Sequence, residues 1–468
     1  MLRAHILLRL LIVTGLLAIL LSGNALYAQD GIINGGKLFM HKWVPNDPLS
    51  PKGDGLGPMR NASSCVECHF QGNIGGAGPN EYNVELLSAR MPQVKQSKQD
   101  KVTATLPLIH AGFRKPGGQI GTTLVLHKIG EDETYLDWRL KQQGIDVPEE
   151  LTEARKLRMM RAINRKREGH QVYVLPKKQG VTLVLSQRNT PALFGAGLID
   201  KIPDSIIKEQ AKRQAKIHSA TAGRVPQTAG GVGRFGWRGQ TTSLKEFVLA
   251  ACANELGLQS EKHEQATNPQ KPEYKSPGVD LDYQQCDELV EFVANLPLPI
   301  KTEPRNDDEA NFLNYGRNLL NTIGCNKCHV ENLGTAKGIY SDLLLHDMGP
   351  DLSDPSPANP GTKITGRQFI GGSFGGSFQA FTVDIPSNIF DEWRTPPLWG
   401  VASSAPYMHD GRAANLHQAI MLHGGQGRFS REDYLGLPAE DRGYIISYLK
   451  TLVAPKPESK YHYRYRTN

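Results

Sequence analysis

The sequence predicts a mainly α-helical fold built as two tandem domains of the same kind, the first enlarged by loop-rich insertions. Three observations carry this expectation. A C-x-x-C-H motif occurs twice, as CVECH at 65–69 and CNKCH at 325–329. Five pairs of similar segments recur in the same order around the two motifs. The segments that open and close each copy place apolar residues at helical spacing, and proline follows as a stop. The 48 glycines and 30 prolines break up much of the remainder, so low strand content is expected.

The repeats set the order of elements. GGKLF (35–39) answers GRNLL (316–320), each upstream of its motif. LVLHKIG (124–130) answers LLLHDMG (343–349), and RNTPALFG (188–195) answers RTPPLWG (394–400). WRGQTTSL (237–244) answers HDGRAANL (409–416), and VEFVANL (290–296) answers ISYLKTL (446–452). Val290, Val293 and Ala294 in one closing segment, and Ile446 and Leu449 in the other, sit on one helical face, with Pro297 and Pro455 beyond them. The first copy is longer. His69 lies 58 residues before His127, whereas His329 lies 17 before His346. Pro191 lies 48 residues before Gly239, whereas Pro396 lies 15 before Gly411. The resulting division is a leader at 1–28, a first domain at 29–300, a second at 301–455 and a tail at 456–468, with LPLPIKTEPRNDDE (296–309) as linker. NDPLSPKGDGLGP and SDPSPANPGTK read as loops. The basic segment LTEARKLRMMRAINRKREG (151–169) reads as a solvated helix face, or as a docking surface for a small acidic electron-donor protein.

A length of 468 residues suggests two or three domains, and 39% hydrophobic with 22% charged residues describes a globular chain. A net charge of +7 is modest for this length and by itself argues little, since a nucleic-acid binder usually concentrates its basic residues on one face; no nucleic-acid partner is expected. Arg3 and Arg9, an apolar run from Leu10 to Leu21, and then small and polar residues follow the order of a secretory signal peptide. Cleavage falls after Ala25 or Ala28. The apolar run is short for a span, and no later stretch would cross a bilayer. An exported, periplasmic protein with no stable membrane span is expected.

The motif gives the chemistry. C-x-x-C-H is the attachment signature of c-type haem: two thiols add to the haem vinyl groups and the histidine reaches the iron. Cys65, Cys68 and His69 would hold one haem, and Cys325, Cys328 and His329 a second. Haem attachment outside the cytoplasm agrees with export. Cys252 and Cys286 remain, as one disulfide or as two separate buried thiols. The sixth position on each iron decides function, because a filled one suits electron transfer and an open one admits a small molecule. The run SAPYMHDGRAANLHQAIMLHGG (404–425) offers His409, His417, His423, Met408 and Met421 for that role, and Met348 lies upstream.

An opening helix with a glycine, a C-x-x-C-H turn and a closing helix resemble a class I cytochrome c domain. The paired motifs, RNTP and APYMHDG resemble the bacterial di-haem cytochrome c peroxidase superfamily. YSDLLLHDMGP, GRFGW and WRTPPLWG…APYMHDGRAANLHQAIMLHGG are similar to its di-haem oxidoreductase branch, over most of the mature chain. In that superfamily the C-terminal iron takes a ligand fourteen residues after the HDG histidine, here His423, so the resemblance implies a His329/His423 haem. Met348, Met408 and Met421 are rivals, His409 a structural residue, and His417 an exposed helix residue. Aligning the copies through Leu244 and Leu416 sets Ala251 opposite His423. A distal histidine found in some relatives maps to Val181. Neither residue binds iron, which implies an open, reactive first haem.

The resemblance also assigns Trp237 as the relay between haems. The family's distal glutamate maps to Gly257 and its companion glutamine to Phe247; Glu255 lies near enough to substitute as proton carrier. An interdomain calcium would use Asn189 and the carbonyls of Ser404 and Pro406. The expectation is an exported, peroxidase-like di-haem c oxidoreductase acting on a small-molecule oxidant or substrate. A non-catalytic di-haem electron carrier is the alternative, and a protein-modifying di-haem oxidase a further one.

Overall fold

The computed structural model describes residues 34–90, 96–114, 118–132, 134–142, 181–354, 363–372, 375–384 and 388–456, with a few short pieces between 31 and 178. The signal segment, most of the basic run at 151–169 and the tail beyond 456 lie outside the described residues.

The first half opens with helix α1 (34–40) and the turn α2 (Cys65–Cys68). There follow β1 (Val84–Arg90), α3 (Gln96–Ile109), β2 (Thr123–Val125), α4 (Tyr135–Gln142), β3 (Val172–Val174) and β4 (Thr182–Arg188). It continues through α5 (Ala196–Asp200), α6 (Asp204–Ile217) and α7 (Leu244–Ala251) to α8 (Tyr283–Ala294). The second half runs α9 (Asp307–Thr322), β5 (Leu345–Asp347), β6 (Lys363–Gly372), β7 (Gly375–Asp384), β8 (Glu392–Arg394), α10 (Leu416–Met421), α11 (Arg428–Gly436) and α12 (Ala439–Leu449).

The duplication is visible in the backbone. In each half the opening helix crosses the closing helix at a glycine. A Cβ on Gly35 of α1 would overlap the backbone of Glu288 in α8, and one on Gly316 of α9 would overlap that of Tyr444 in α12. Gly35 and Gly316 occupy the same place in the aligned repeats, so only the missing side chain lets the helices approach so closely. Further on, Phe235 bridges Thr241 and Tyr407 bridges Ala413, in the same register. The next helices are capped alike: Ser243 accepts from the N–H of Glu246 at α7, and Asn415 from that of Gln418 at α10. Trp237 and His409 therefore hold equivalent positions in the two halves.

The insertion in the first half corrects the expectation of loops. Strands β2, β1, β4 and β3 form, in that order, an antiparallel four-stranded sheet with its own core. Leu87 and Ala89, Leu124 and Leu126, and Val181, Leu183 and Leu185 all enter that core with α3 residue Leu106 and with Phe113. The alternation is the period of two that a half-buried strand requires. It was present in the sequence beneath the glycine and proline count. Arg139 of α4 closes the sheet with a buried ion pair to Glu85. A second exception is the hairpin of β6 and β7, ten residues each, which follows the SDPSPANPGTK segment.

The main core of the first half includes Phe39, Trp43, Phe292 and Val293, and also Ile339, Leu343 and Leu344 from the second half. The second half has its own cluster around Leu320, Tyr434, Ile445 and Tyr448. Apolar packing therefore joins the halves beyond the linker.

Candidate haem-binding sites

Both C-x-x-C-H turns are set by local hydrogen bonds. Ser64 caps α2 by accepting from the N–H of Glu67, and the Glu67 carboxylate accepts from the N–H and hydroxyl of Ser63 at 2.8 and 2.9 Å. In the second half Gly324 precedes the turn Cys325–Lys327 at φ 84°, a conformation glycine adopts freely. The N–H groups of His69 and His329 each donate to the carbonyl of the first motif cysteine, at 3.0 and 2.9 Å.

The imidazoles are fixed in the same tautomer. Nδ1 of His69 donates to the Gly76 carbonyl at 3.1 Å, and Nδ1 of His329 to that of Tyr340 at 2.9 Å. A carbonyl only accepts, so the proton sits on Nδ1 and Nε2 keeps its lone pair for a metal. Burial brings both imidazoles down to about 4, so they are neutral near pH 7. Burial likewise pushes the Cys65 and Cys325 thiols up to about 12, away from thiolate chemistry.

His423 follows α10 and is half-buried, with its Nδ1 donating to the Ala419 carbonyl at 2.8 Å. Its ring centroid lies 6.4 Å from that of His329, with 57° between the planes. A metal bound by Nε2 of both rings at about 2 Å each needs centroids roughly 6 Å apart. The chain therefore brings His329 and His423 to the separation that one iron between them requires. His417 is exposed and bonds the Tyr434 hydroxyl at 2.8 Å, and Met421 is exposed. Met348 and Met408 line the cavity described next, so two of the rival thioethers stay within its walls. His409 stacks on Trp393 at 3.6 Å and 11° between planes, in keeping with a structural role.

A cavity of about 310 Å³ runs from Phe235, Trp237 and Phe247 to Cys325, Cys328, His329 and His423. Its lining is predominantly apolar. Cys65, Cys68 and His69 do not line it; Cys65 and Cys68 pack against the main core. Trp237 donates from Nε1 to the Asn189 carbonyl at 3.0 Å. Two backbone bonds exchange across the halves there: Asn189 N–H to the His409 carbonyl at 2.7 Å, and Arg394 N–H to the Trp237 carbonyl at 3.0 Å.

Glu255 does not line this cavity. It lies in a π-helical turn (Cys252–Leu256) that continues α7, and its Oε2 accepts from Asn61 Nδ2 at 2.6 Å. Burial raises its carboxyl, opposed by Asn61 and Lys128. Val181 sits in the core of the inserted sheet, so it says nothing about the sixth position of an iron on His69. Ala251 ends α7, where its equivalence to His423 places it. Asn189, Ser404 and Pro406 all line the cavity, and the Asn189 amide donates to Gly78 and Asn83, both at 3.0 Å. Cys252 and Cys286 are free buried thiols rather than a disulfide.

Sequence reasoning missed the polar residues on the second-half wall. His346 accompanies Asp342 at 2.9 Å and lies 3.6 Å from Cys328 Sγ. Cys328, Asp342 and His346 place ligand-type atoms within 4.8 Å of one another. Asp342 holds His346 well above the usual imidazole range. Arg394 is half-buried, and its Nη1 is buried and unbonded among the described residues. The second copies of LVLHKIG and RNTP carry both residues, and their polarity within apolar repeats was the available signal. An apolar cavity, two cysteines, two free Nε2 atoms and an unsatisfied guanidinium nitrogen together fit a haem in the second half.

The class defined by these sites is a di-haem protein. Residues 376–452 match the family described as "Di-haem oxidoreductase, putative peroxidase". The chain is 26% identical over 237 residues, 48% of its length, to a cytochrome c551 peroxidase of Nitrosomonas europaea, and the match spans 63% of that protein. Among solved structures, hydrazine synthase of Kuenenia stuttgartiensis aligns over 60% of this chain and 76% of its own, at 16% identity and TM-score 0.31. A MauG-like protein associated with microbial copper homeostasis aligns over 54% and 90%, at 16% identity and TM-score 0.24. Scores this low support no inference about fold. The sequence matches show a likeness to the di-haem peroxidase-like family, carried by the C-terminal segment and by about half of the chain.

Proposed function

We propose that the chain is an exported di-haem c-type oxidoreductase, peroxidase-like, built from two cytochrome c-like halves with unequal irons. The carrying observation is the pairing of His329 and His423, ring centroids 6.4 Å apart, against Ala251 at the equivalent place in the first half. Cys325 and Cys328 anchor the second haem and His329 and His423 ligate it, leaving no open position. Cys65, Cys68 and His69 hold the first, with one face free for a small-molecule oxidant. Bound haem supplies the electron-transfer and peroxide chemistry. Trp237 lines the cavity beside the domain interface and relays electrons between the halves. Asn61 orients Glu255, and burial raises that carboxyl, which supports a role in carrying a proton.

Asn189 with the Ser404 and Pro406 carbonyls forms a calcium site at the domain interface; their shared cavity wall supports this reading. A small electron-donor protein supplies the second haem. The leader directs the chain to the periplasm, and no helix among the described residues is long and apolar enough to cross a membrane. Glu255 standing off the cavity wall favours one competing reading, a di-haem electron carrier without catalysis.

His423→Ala tests the proposal. The second haem should change from low-spin to high-spin or water-bound in absorption and electron paramagnetic resonance spectra, while two haems remain attached. An unchanged bis-histidine signal would remove His423 from the site and turn attention to Met348 and Met408.

A further inference from the structure

We propose that Arg394 clamps a propionate carboxylate of the second haem and ties that haem to the loop carrying Trp237. The inference rests on the reading that the second half binds haem.

Arg394 ends β8 and lines the cavity shared with Cys325, Cys328 and His423. One side of the residue is committed to the other half of the chain. Its N–H donates to the Trp237 carbonyl at 3.0 Å, and Nε to the Gly236 carbonyl at 2.9 Å. Beyond these bonds, Nη1 is buried with no acceptor among the described residues. Burial brings the guanidinium down to about 10, which still leaves it a cation at neutral pH. A half-buried cation with a buried, unbonded nitrogen calls for an anion, and a planar guanidinium is matched to a carboxylate.

The nearby protein carboxylate does not meet that need. Asp342 attracts Arg394 electrostatically, but its oxygens are taken by others. Oδ2 accepts from Gln214 Nε2 at 2.6 Å and pairs with His346 at 2.9 Å, while Oδ1 accepts from the Leu344 N–H at 2.9 Å. The second haem brings two carboxylates of its own into a predominantly apolar cavity. A propionate on Nη1 completes the guanidinium. It also makes one rigid path, from haem carboxylate through Arg394 to the backbone of Gly236 and Trp237.

The test compares Arg394→Gln and Arg394→Lys in the haem-loaded protein by spectroelectrochemical titration and resonance Raman. Losing the cation favours the ferric second haem. Arg394→Gln should lower its reduced-to-oxidised ratio at fixed potential by roughly tenfold, about 59 mV for one electron. Its propionate-bending band should shift as well. Arg394→Lys keeps the charge without the fork, so it should hold the potential near wild type and still move the band. Should the Gln variant not accumulate, the Lys band alone decides. Two attached haems with unchanged ratio and band overturn the clamp, as does a change confined to the first haem. A wild-type protein with no haem on Cys325 and Cys328 fails at the earlier step and takes the clamp with it.

Discussion

Replacing Gly316 with alanine tests the helix crossing that frames the second haem site. A Cβ there would stand 2.6 Å from the Tyr444 carbonyl carbon, and closer still to its oxygen. Ordinary contact begins near 3.4 Å, so α9 and α12 must part by about 0.8 Å along that line. The obstacle is helix backbone, which no side-chain rotation relieves. Overpacking of this kind costs about 1–3 kcal/mol, and the rigid partner places Gly316→Ala at the upper end. At roughly 2–4 °C per kcal/mol for a unit of this size, the melting temperature should fall by several degrees. Gly443 supplies the control. It lies in α12 itself, is exposed, and has nothing within 4 Å of an added Cβ. Gly443→Ala should therefore stabilise by ~0.5–1 kcal/mol through helix propensity alone. Thermal melts followed by circular dichroism, with absorbance reporting the change of haem ligation, measure both. A Gly316→Ala protein that melts with wild type would refute the close crossing, and with it the equivalence of Gly316 and Gly35.

Three other outcomes are expected. Alanine at both cysteines of either motif, Cys65 with Cys68 or Cys325 with Cys328, should remove one covalent haem by intact mass and leave the other. Trp237→Phe removes the bond to the Asn189 carbonyl and should slow electron exchange between the halves in stopped-flow traces with both haems still attached; an unchanged rate would assign the relay elsewhere. Glu255→Gln should lower peroxide turnover by about 100-fold or more if its carboxyl moves the proton. The Glu255 carboxyl is raised above the ordinary glutamate value, so the base form is lost on acidification at a higher pH than for an exposed glutamate. The acid limb of the rate profile should sit correspondingly high, and Gln should abolish it.

Much of this arrangement was readable because it depends on local pattern. The two C-x-x-C-H turns and the opening and closing helices are each encoded within a few residues, whereas the glycine crossings join segments far apart in the chain. The match of Trp237 to His409 came from repeat order alone and agrees with paired bridges in the backbone. The inserted sheet was not foreseen, because the alternation of Val181, Leu183 and Leu185 was outweighed by surrounding breakers. Mapping the relatives' distal histidine onto Val181 was uninformative for the same reason: counting back from NTP ignores a strand that carries the chain into another core. Arg394 was overlooked because its role depends on what Asp342 does not accept, and sequence does not show which lone pairs are already taken.

The interface gives the duplication its functional sense. Asn189 and Arg394 occupy matched positions in the repeats, and so do Trp237 and His409. Each of the first pair donates its N–H to the carbonyl of the opposite half's member of the second. Backbone bonds of this kind do not depend on side-chain identity, so they hold the halves in a fixed relation while the side chains diverge. Divergence is what the site displays. One half presents an indole, and the other an imidazole stacked beneath Trp393, whose ring also lies 4.0 Å from the Arg238 guanidinium. A cation over an indole face opposes removal of an electron from it. Trp393 is therefore the harder of the two indoles to oxidise, although both line the same cavity. The scaffold is symmetric, and this electrostatic difference supports the relay proposed for Trp237.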